Sequence, residues 1–192
     1  MVPGRSITAA RQSAGLAVDE LARATGTPVR DLEAYESGRD VAPPSVLRRI
    51  DAAVVAGADS PIFVHKLLTV PATAAAIRAG LRDGWSTSDL LRLVRESRSN
   101  AKWLATPADL AAFFVEPPTT EDPRWDALLA GSTEELALSS RRDPPTWTAG
   151  HAIRPFWFVG TDEAFDAYAL AHSPASLKIR GVILDAAELA SI

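Results

Sequence analysis

Apolar residues recur at intervals of three and four along most of this chain, and no window up to about Ala58 alternates apolar with polar positions over strand length. That pattern predicts helices, with prolines and glycines marking where they begin and end. Pro43-Pro44, Ser60-Pro61, Pro117-Pro118 and Pro144-Pro145 are the clearest breaks. In the middle of the chain a helix is predicted from Pro71 to about Arg82 and closed by Gly84, with proline at its start and glycine past its end. Ser86, with Asp89 three positions later, resembles a capping box ahead of Leu90, Leu91, Leu93 and Val94. A further helix starts at Thr106-Pro107 and carries Leu110, Phe113 and Phe114.

Asp122-Pro123 reads as an N-cap followed by proline, opening a helix to about Ser140 with Trp125, Leu128, Leu129 and Leu136 at helical spacing. Arg141 to Arg154 holds Pro144, Pro145 and Gly150 without any period and reads as a loop. Beyond it, Phe156 to Val159 and Gly181 to Leu184 are short β-prone runs that could pair as a minimal sheet. Two strands alone are marginal, so a covering helix is required, and Asp162 to His172 offers Phe165, Tyr168 and Ala169 for that task. The predicted class is therefore mainly α: an N-terminal bundle of four or five helices, a helical middle region and a small α+β part with a two-stranded sheet. The corresponding boundaries are 1–58, 59–121 and 122–192.

Within the first region, the segment from Arg11 to Gly38 has the landmarks of a helix-turn-helix. Leu21 and Ala22 face inward on one helix, Ala22 being small where a second helix crosses it, and Gly26 sits where the chain must turn sharply. Thr27 is placed to N-cap the second helix with Pro28 at its first position, and Gly38 suits a left-handed position at its end. After Pro43-Pro44, Ser45 caps a helix whose Val46, Leu47, Ile50 and Val54 close the small core.

The ordered combination of Arg11, Leu16, Glu20-Leu21-Ala22, Gly26, Tyr35-Glu36 and Gly38 makes the segment from about Arg5 to Ala56 resemble the Xre, or Cro/CI, helix-turn-helix family. The resemblance implies a recognition helix from about Thr27 to Ser37 in the major groove of duplex DNA and a structural ion pair between Arg11 and Glu36. It places Thr27, Pro28, Val29, Arg30 and Ala34 toward the DNA, with Arg39 beyond the helix end. Arg30 is the side chain of that set able to contact guanine bidentately. The chain departs from the family pattern at Val18, where a glutamine often contacts phosphate, and at Pro28 and Val29, where polar base-readers are common. Asp31 and Glu33 add negative charge beside the same helix.

Charge changes the picture. Lys+Arg number 20 against 24 Asp+Glu, for a net charge of -4, and residues 1–57 carry seven arginines and seven acids. A DNA-binding module is usually basic, because phosphate neutralisation supplies much of its affinity, so specific binding here calls for a homodimer or a partner. With no cysteine, disulfides, thiol nucleophiles and cysteine-ligated zinc are excluded. The three histidines have no metal-ligand spacing, no nucleophile elbow or phosphate loop is visible, and we expect no catalytic site, cofactor or metal. Met1 to Ala10 lacks the pattern of a signal peptide and no long apolar run follows, so a soluble, cytoplasmic protein without membrane contact is expected.

The loop arginines and aromatics form the second candidate site. Arg141, Arg142, Trp147, His151, Arg154, Phe156 and Trp157 have the composition of a protein-binding hot spot, although the aromatics also fit a core or, against the acidic balance of residues 58–192, a stacking surface for single-stranded nucleic acid. Three later segments, Asp122 to Leu129, Ala171 to Ala175 and Arg180 to Asp185, resemble the C-terminal part of uncharacterised actinobacterial helix-turn-helix proteins, many of which look like antitoxins. Together these imply an autorepressing antitoxin whose C-terminal region sequesters a cognate toxin. Two other readings stay open: a regulator with a small-molecule pocket around Trp147 to Val159, and an adaptor that has lost its DNA.

Overall fold

Side chains of Ser60, Ser86, Thr106, Asp122 and Asp185 cap the starts of helices in this chain. The computed structural model describes residues 4–160 and 165–190. In chain order the helices are α1 (Gly4–Ser13), α2 (Val18–Thr25), α3 (Val29–Ser37), α4 (Pro44–Ala56), α5 (Pro61–Val64), α6 (Val70–Arg82), α7 (Thr87–Asn100), α8 (Pro107–Phe114) and α9 (Pro123–Ser139). Strand β1 (Trp157–Phe158) precedes α10 (Asp166–His172) and α11 (Ala175–Lys178), and β2 (Val182–Ile183) precedes α12 (Ala186–Leu189). Single 3-10 turns lie at Ala101–Trp103 and, inside the expected loop, at Thr146–Thr148. The fold is mainly helical, as the periodicity predicts.

Serine, threonine and aspartate supply the caps. Thr106 Oγ1 accepts from the Asp109 N–H at 3.1 Å while Asp109 accepts from the Thr106 N–H at 3.0 Å, a reciprocal box that starts α8. Asp122 accepts from the Arg124 N–H at 2.8 Å at the start of α9. Before α7, Ser86 accepts from the Asp89 N–H at 3.2 Å. At α4 the expected serine cap is corrected: Pro43 holds the N-cap position and Pro44 the first turn, so Ser45 lies inside the helix.

The chain divides into two compact units, the first built from 1–75 and 100–118 and the second from 76–99 and 119–192. The middle region is thus shared between them. In the first unit Leu21, Leu32, Ile50, Ile62 and Phe113 are fully buried, and α8 packs on α4. Asp109 is buried with them; its carboxylate accepts from the hydroxyls of Ser60 and Thr106. Burial pushes the Asp109 carboxyl up, but those hydroxyls and the backbone N–H groups of Thr106 and Ala105 outweigh it and hold it below its ordinary value.

In the second unit α9 is the central element, burying Trp125, Leu128 and Leu129. Strands β1 and β2 pair in parallel, Trp157 opposite Val182 and Phe158 opposite Ile183. A parallel pair needs a crossover, which the stretch carrying α10 and α11 provides. The cover of this sheet corrects the sequence expectation. Residues 162–164 of the expected covering helix lie outside the described residues, and of Phe165, Tyr168 and Ala169 only Ala169 is buried. The sheet rests instead on α9, with the Trp125 and Trp157 rings edge to face at 5.3 Å.

Candidate nucleic-acid interface

The first unit presents α3 through a tight turn after α2. Gly26 there is left-handed (φ 63°, ψ 25°), its N–H bonds the Arg23 carbonyl at 3.2 Å and the Thr27 N–H bonds the Ala22 carbonyl at 3.0 Å. These two bonds satisfy the last carbonyls of α2 in a Schellman arrangement. A Cβ on Gly26 would stand 2.3 Å from the Pro71 carbonyl oxygen, so side-chain bulk as well as φ requires glycine here.

This turn corrects the placement of Thr27. Its backbone belongs to the end of α2, Pro28 takes the N-cap position of α3, and Thr27 itself is buried. Thr27 Oγ1 has no hydrogen-bond partner, and it neither caps α3 nor reaches solvent. Pro28, Val29 and Arg30 are exposed along the start of α3, Ala34 is half-buried, and Arg39 is exposed just after it. The Arg30 side chain is 89% exposed, with its Nε 3.0 Å from Asp31 Oδ1.

Arg11 clamps the other side of α3. Its Nε donates to Glu36 Oε1 at 2.7 Å, Nη2 to Oε2 at 3.2 Å, and Nη1 to the Leu16 carbonyl at 2.8 Å. The hydrogen bond to Glu36, opposed by partial burial, raises the Arg11 pKa above its ordinary value. Other arginines of this region are also engaged by the protein. Arg23 donates to the Leu67 and Ile62 carbonyls, and burial lowers its pKa; Arg48 pairs with Glu116 at 2.6 Å; Arg49 is buried. Arg30 and Arg39 are left facing outward on and after α3.

A family model described as a helix-turn-helix domain matches residues 4–60. This part of the chain is a helix-turn-helix domain. No curated protein and no solved structure matches the chain. In the helix-turn-helix domain α2 precedes the turn and α3 follows it, in the position that the motif gives its recognition helix. Val18, Asp31 and Glu33 lie on these two helices, with Glu33 exposed and Asp31 half-buried.

The structure splits the second candidate set. Trp147 and His151 stand edge to face at 6.1 Å, and His151 lines a cavity of about 470 Å³ together with Arg180 and Glu134. Arg154, Phe156 and Trp157 line a second cavity, of about 630 Å³. Arg141 and Arg142 are exposed and line neither. Sequence reasoning missed Arg124, Glu134 and Arg180. Arg180 donates to the Thr148 and Ser176 carbonyls and to Glu134, which lies forty-six residues away, too far for any local signal. It also missed that Phe165, Tyr168, Leu170 and Ile179 are exposed. Among the described residues no cluster of metal-ligating side chains occurs, and no helix is long and apolar enough to cross a membrane.

Proposed function

We propose that this chain is a DNA-binding transcriptional regulator that reads duplex DNA with α3 and acts as a homodimer in the cytoplasm. The observation that carries the reading is the Arg30 side chain, exposed at the first turn of a recognition-position helix held by Gly26 and the Arg11–Glu36 pair. A guanidinium so placed can address guanine in the major groove. The dimer follows from charge: with Arg30 and Arg39 outward, one protomer offers too few phosphate contacts for stable specific binding.

The test is a mobility shift with the DNA upstream of its own gene at several salt concentrations. A dimer with its two Arg39 guanidiniums on phosphate and Arg30 on guanine predicts that log K falls with log[salt] at a slope of about -1.8, and Arg30→Ala removes about 1–3 kcal/mol of preference for that DNA without changing the thermal midpoint. A flat salt response, or unchanged preference in Arg30→Ala, overturns the assignment.

The finer reading is an autorepressing antitoxin whose C-terminal unit holds a cognate toxin. Phe165, Tyr168, Leu170 and Ile179, all exposed in the second unit, support it, since large apolar side chains left on a surface are available to a protein partner. Co-expression with the product of the neighbouring gene tests it: the complex copurifies and growth is rescued, and Tyr168→Glu abolishes both. Rescue without copurification, or neither, removes this reading while leaving DNA binding intact.

A further inference from the structure

The cavity of about 630 Å³ in the second unit has a charge and ring arrangement that selects a ligand. Its volume is in the range of small-molecule sites. Trp157 forms one wall, half-buried and fixed by its edge-to-face contact with Trp125 at 5.3 Å. Phe156 stands beside it, exposed. Two guanidiniums lie over these rings: Arg124 Cζ is 5.5 Å from the Trp157 centroid and Arg154 Cζ is 5.5 Å from the Phe156 centroid.

The two arginines differ in what holds them. Arg124 forks onto Asp122, with Nη2 to Oδ2 at 2.8 Å and Nε to Oδ1 at 3.2 Å, so its charge is matched and its position set. Glu121, also at the rim, lies 3.6 Å from Arg78. Arg154 has no carboxylate within ion-pair distance among the described residues. Among the described residues the cavity therefore offers one guanidinium without a carboxylate partner, beside two aromatic walls. The neighbouring cavity differs on this point, because Arg180 is consumed by Glu134 and backbone carbonyls.

We propose that the cavity lined by Arg124, Arg154, Phe156 and Trp157 binds a small aromatic carboxylate, its ring against Phe156 and Trp157 and its carboxylate on Arg154. One uncompensated cation matches a monoanion, and the planar guanidinium matches a carboxylate in a two-bond fork. A phosphate dianion would exceed that charge with Glu121 and Asp122 at the same rim. A neutral ring would leave Arg154 unmatched. This assignment is independent of the DNA-binding reading, since it concerns residues of the second unit alone.

The experiment is calorimetric titration of the full chain with naphthoate and with naphthamide, its uncharged counterpart. Naphthoate binds once per chain at sub-millimolar concentration, and naphthamide binds about tenfold or more weakly. Arg154→Ala, at an exposed position whose fold is checked by circular dichroism, weakens naphthoate by a similar factor and removes the difference between the two probes. Arg154→Lys restores part of it. Arg92→Ala, an exposed change elsewhere in the unit, leaves both unchanged. Equal binding of the two probes, an unaffected Arg154→Ala, or no heat at millimolar naphthoate overturns the proposal.

Discussion

Arg11 in the first unit and Arg180 in the second are both clamps, and they hold different kinds of structure. Arg11 joins α1 to α3, two helices that local sequence already specifies, and its pair with Glu36 keeps side-chain exposures of 11% and 12%. Arg180 gathers a stretch with little regular structure: it donates to the carbonyls of Thr148 and Ser176 and to Glu134, with the arginine side chain 5% exposed. Between two regular helices, a guanidinium in a largely buried ion pair fixes how they meet. Where the chain lacks its own period, the same group supplies the hydrogen bonds that regular structure would have supplied.

That comparison can be broken by mutation. Arg180→Ala should have the largest effect, about 3–5 kcal/mol by urea denaturation, because it leaves Glu134 unmatched and removes the donor to two carbonyls, those of Thr148 and Ser176. Arg11→Ala should cost less, about 2–3 kcal/mol, since besides Glu36 it releases a single backbone carbonyl, that of Leu16, where Arg180 holds two. If Arg11→Ala proves the costlier, the contrast between the two clamps fails.

Glycine positions sharpen it further within the helix-turn-helix domain. Gly26→Ala combines a positive φ with a contact at 2.3 Å to the Pro71 oxygen, and should cost about 3 kcal/mol. Gly38→Ala shares the positive φ but meets nothing within 4 Å, and about 1 kcal/mol is expected. Equal thermal shifts for the two would show that backbone conformation alone decides at Gly26.

The smallest effect expected is a pH dependence. Asp109 has its carboxyl held low in the folded chain, so the stability it contributes is complete above the unfolded carboxylate pKa of about 4 and is lost as pH falls through the lower folded value. Acid unfolding followed by circular dichroism should be less steep below about pH 4 in Asp109→Asn than in the parent chain. Parallel curves would assign acid unfolding to other groups.

Legibility followed the same division. The starts of α8 and α9 and the Ser86–Asp89 interaction could be read directly, because each cap is made by residues within three positions of one another. Thr27 was misread because Gly26-Thr27-Pro28 serves two helices at once, and only the bond from the Thr27 N–H to the Ala22 carbonyl shows which helix owns the threonine. The covering helix was misread because spacing puts Phe165 and Tyr168 on a helix but says nothing of what they face; α9 already occupies the sheet.

Local sequence specified most of the long helices, the caps at Ser86, Thr106 and Asp122, and the helix-turn-helix domain, since periodicity, proline, glycine and short polar side chains act over one or two turns. Tertiary structure decided the parallel register of β1 and β2 and which aromatics are exposed. It also decided which arginines remain available. Seven arginines in residues 1–57 describe a composition, but Arg11, Arg23, Arg48 and Arg49 are engaged or buried by groups brought near only by folding. A guanidinium's charge is counted in the sequence, and its availability to a ligand depends on acceptors that lie tens of residues away.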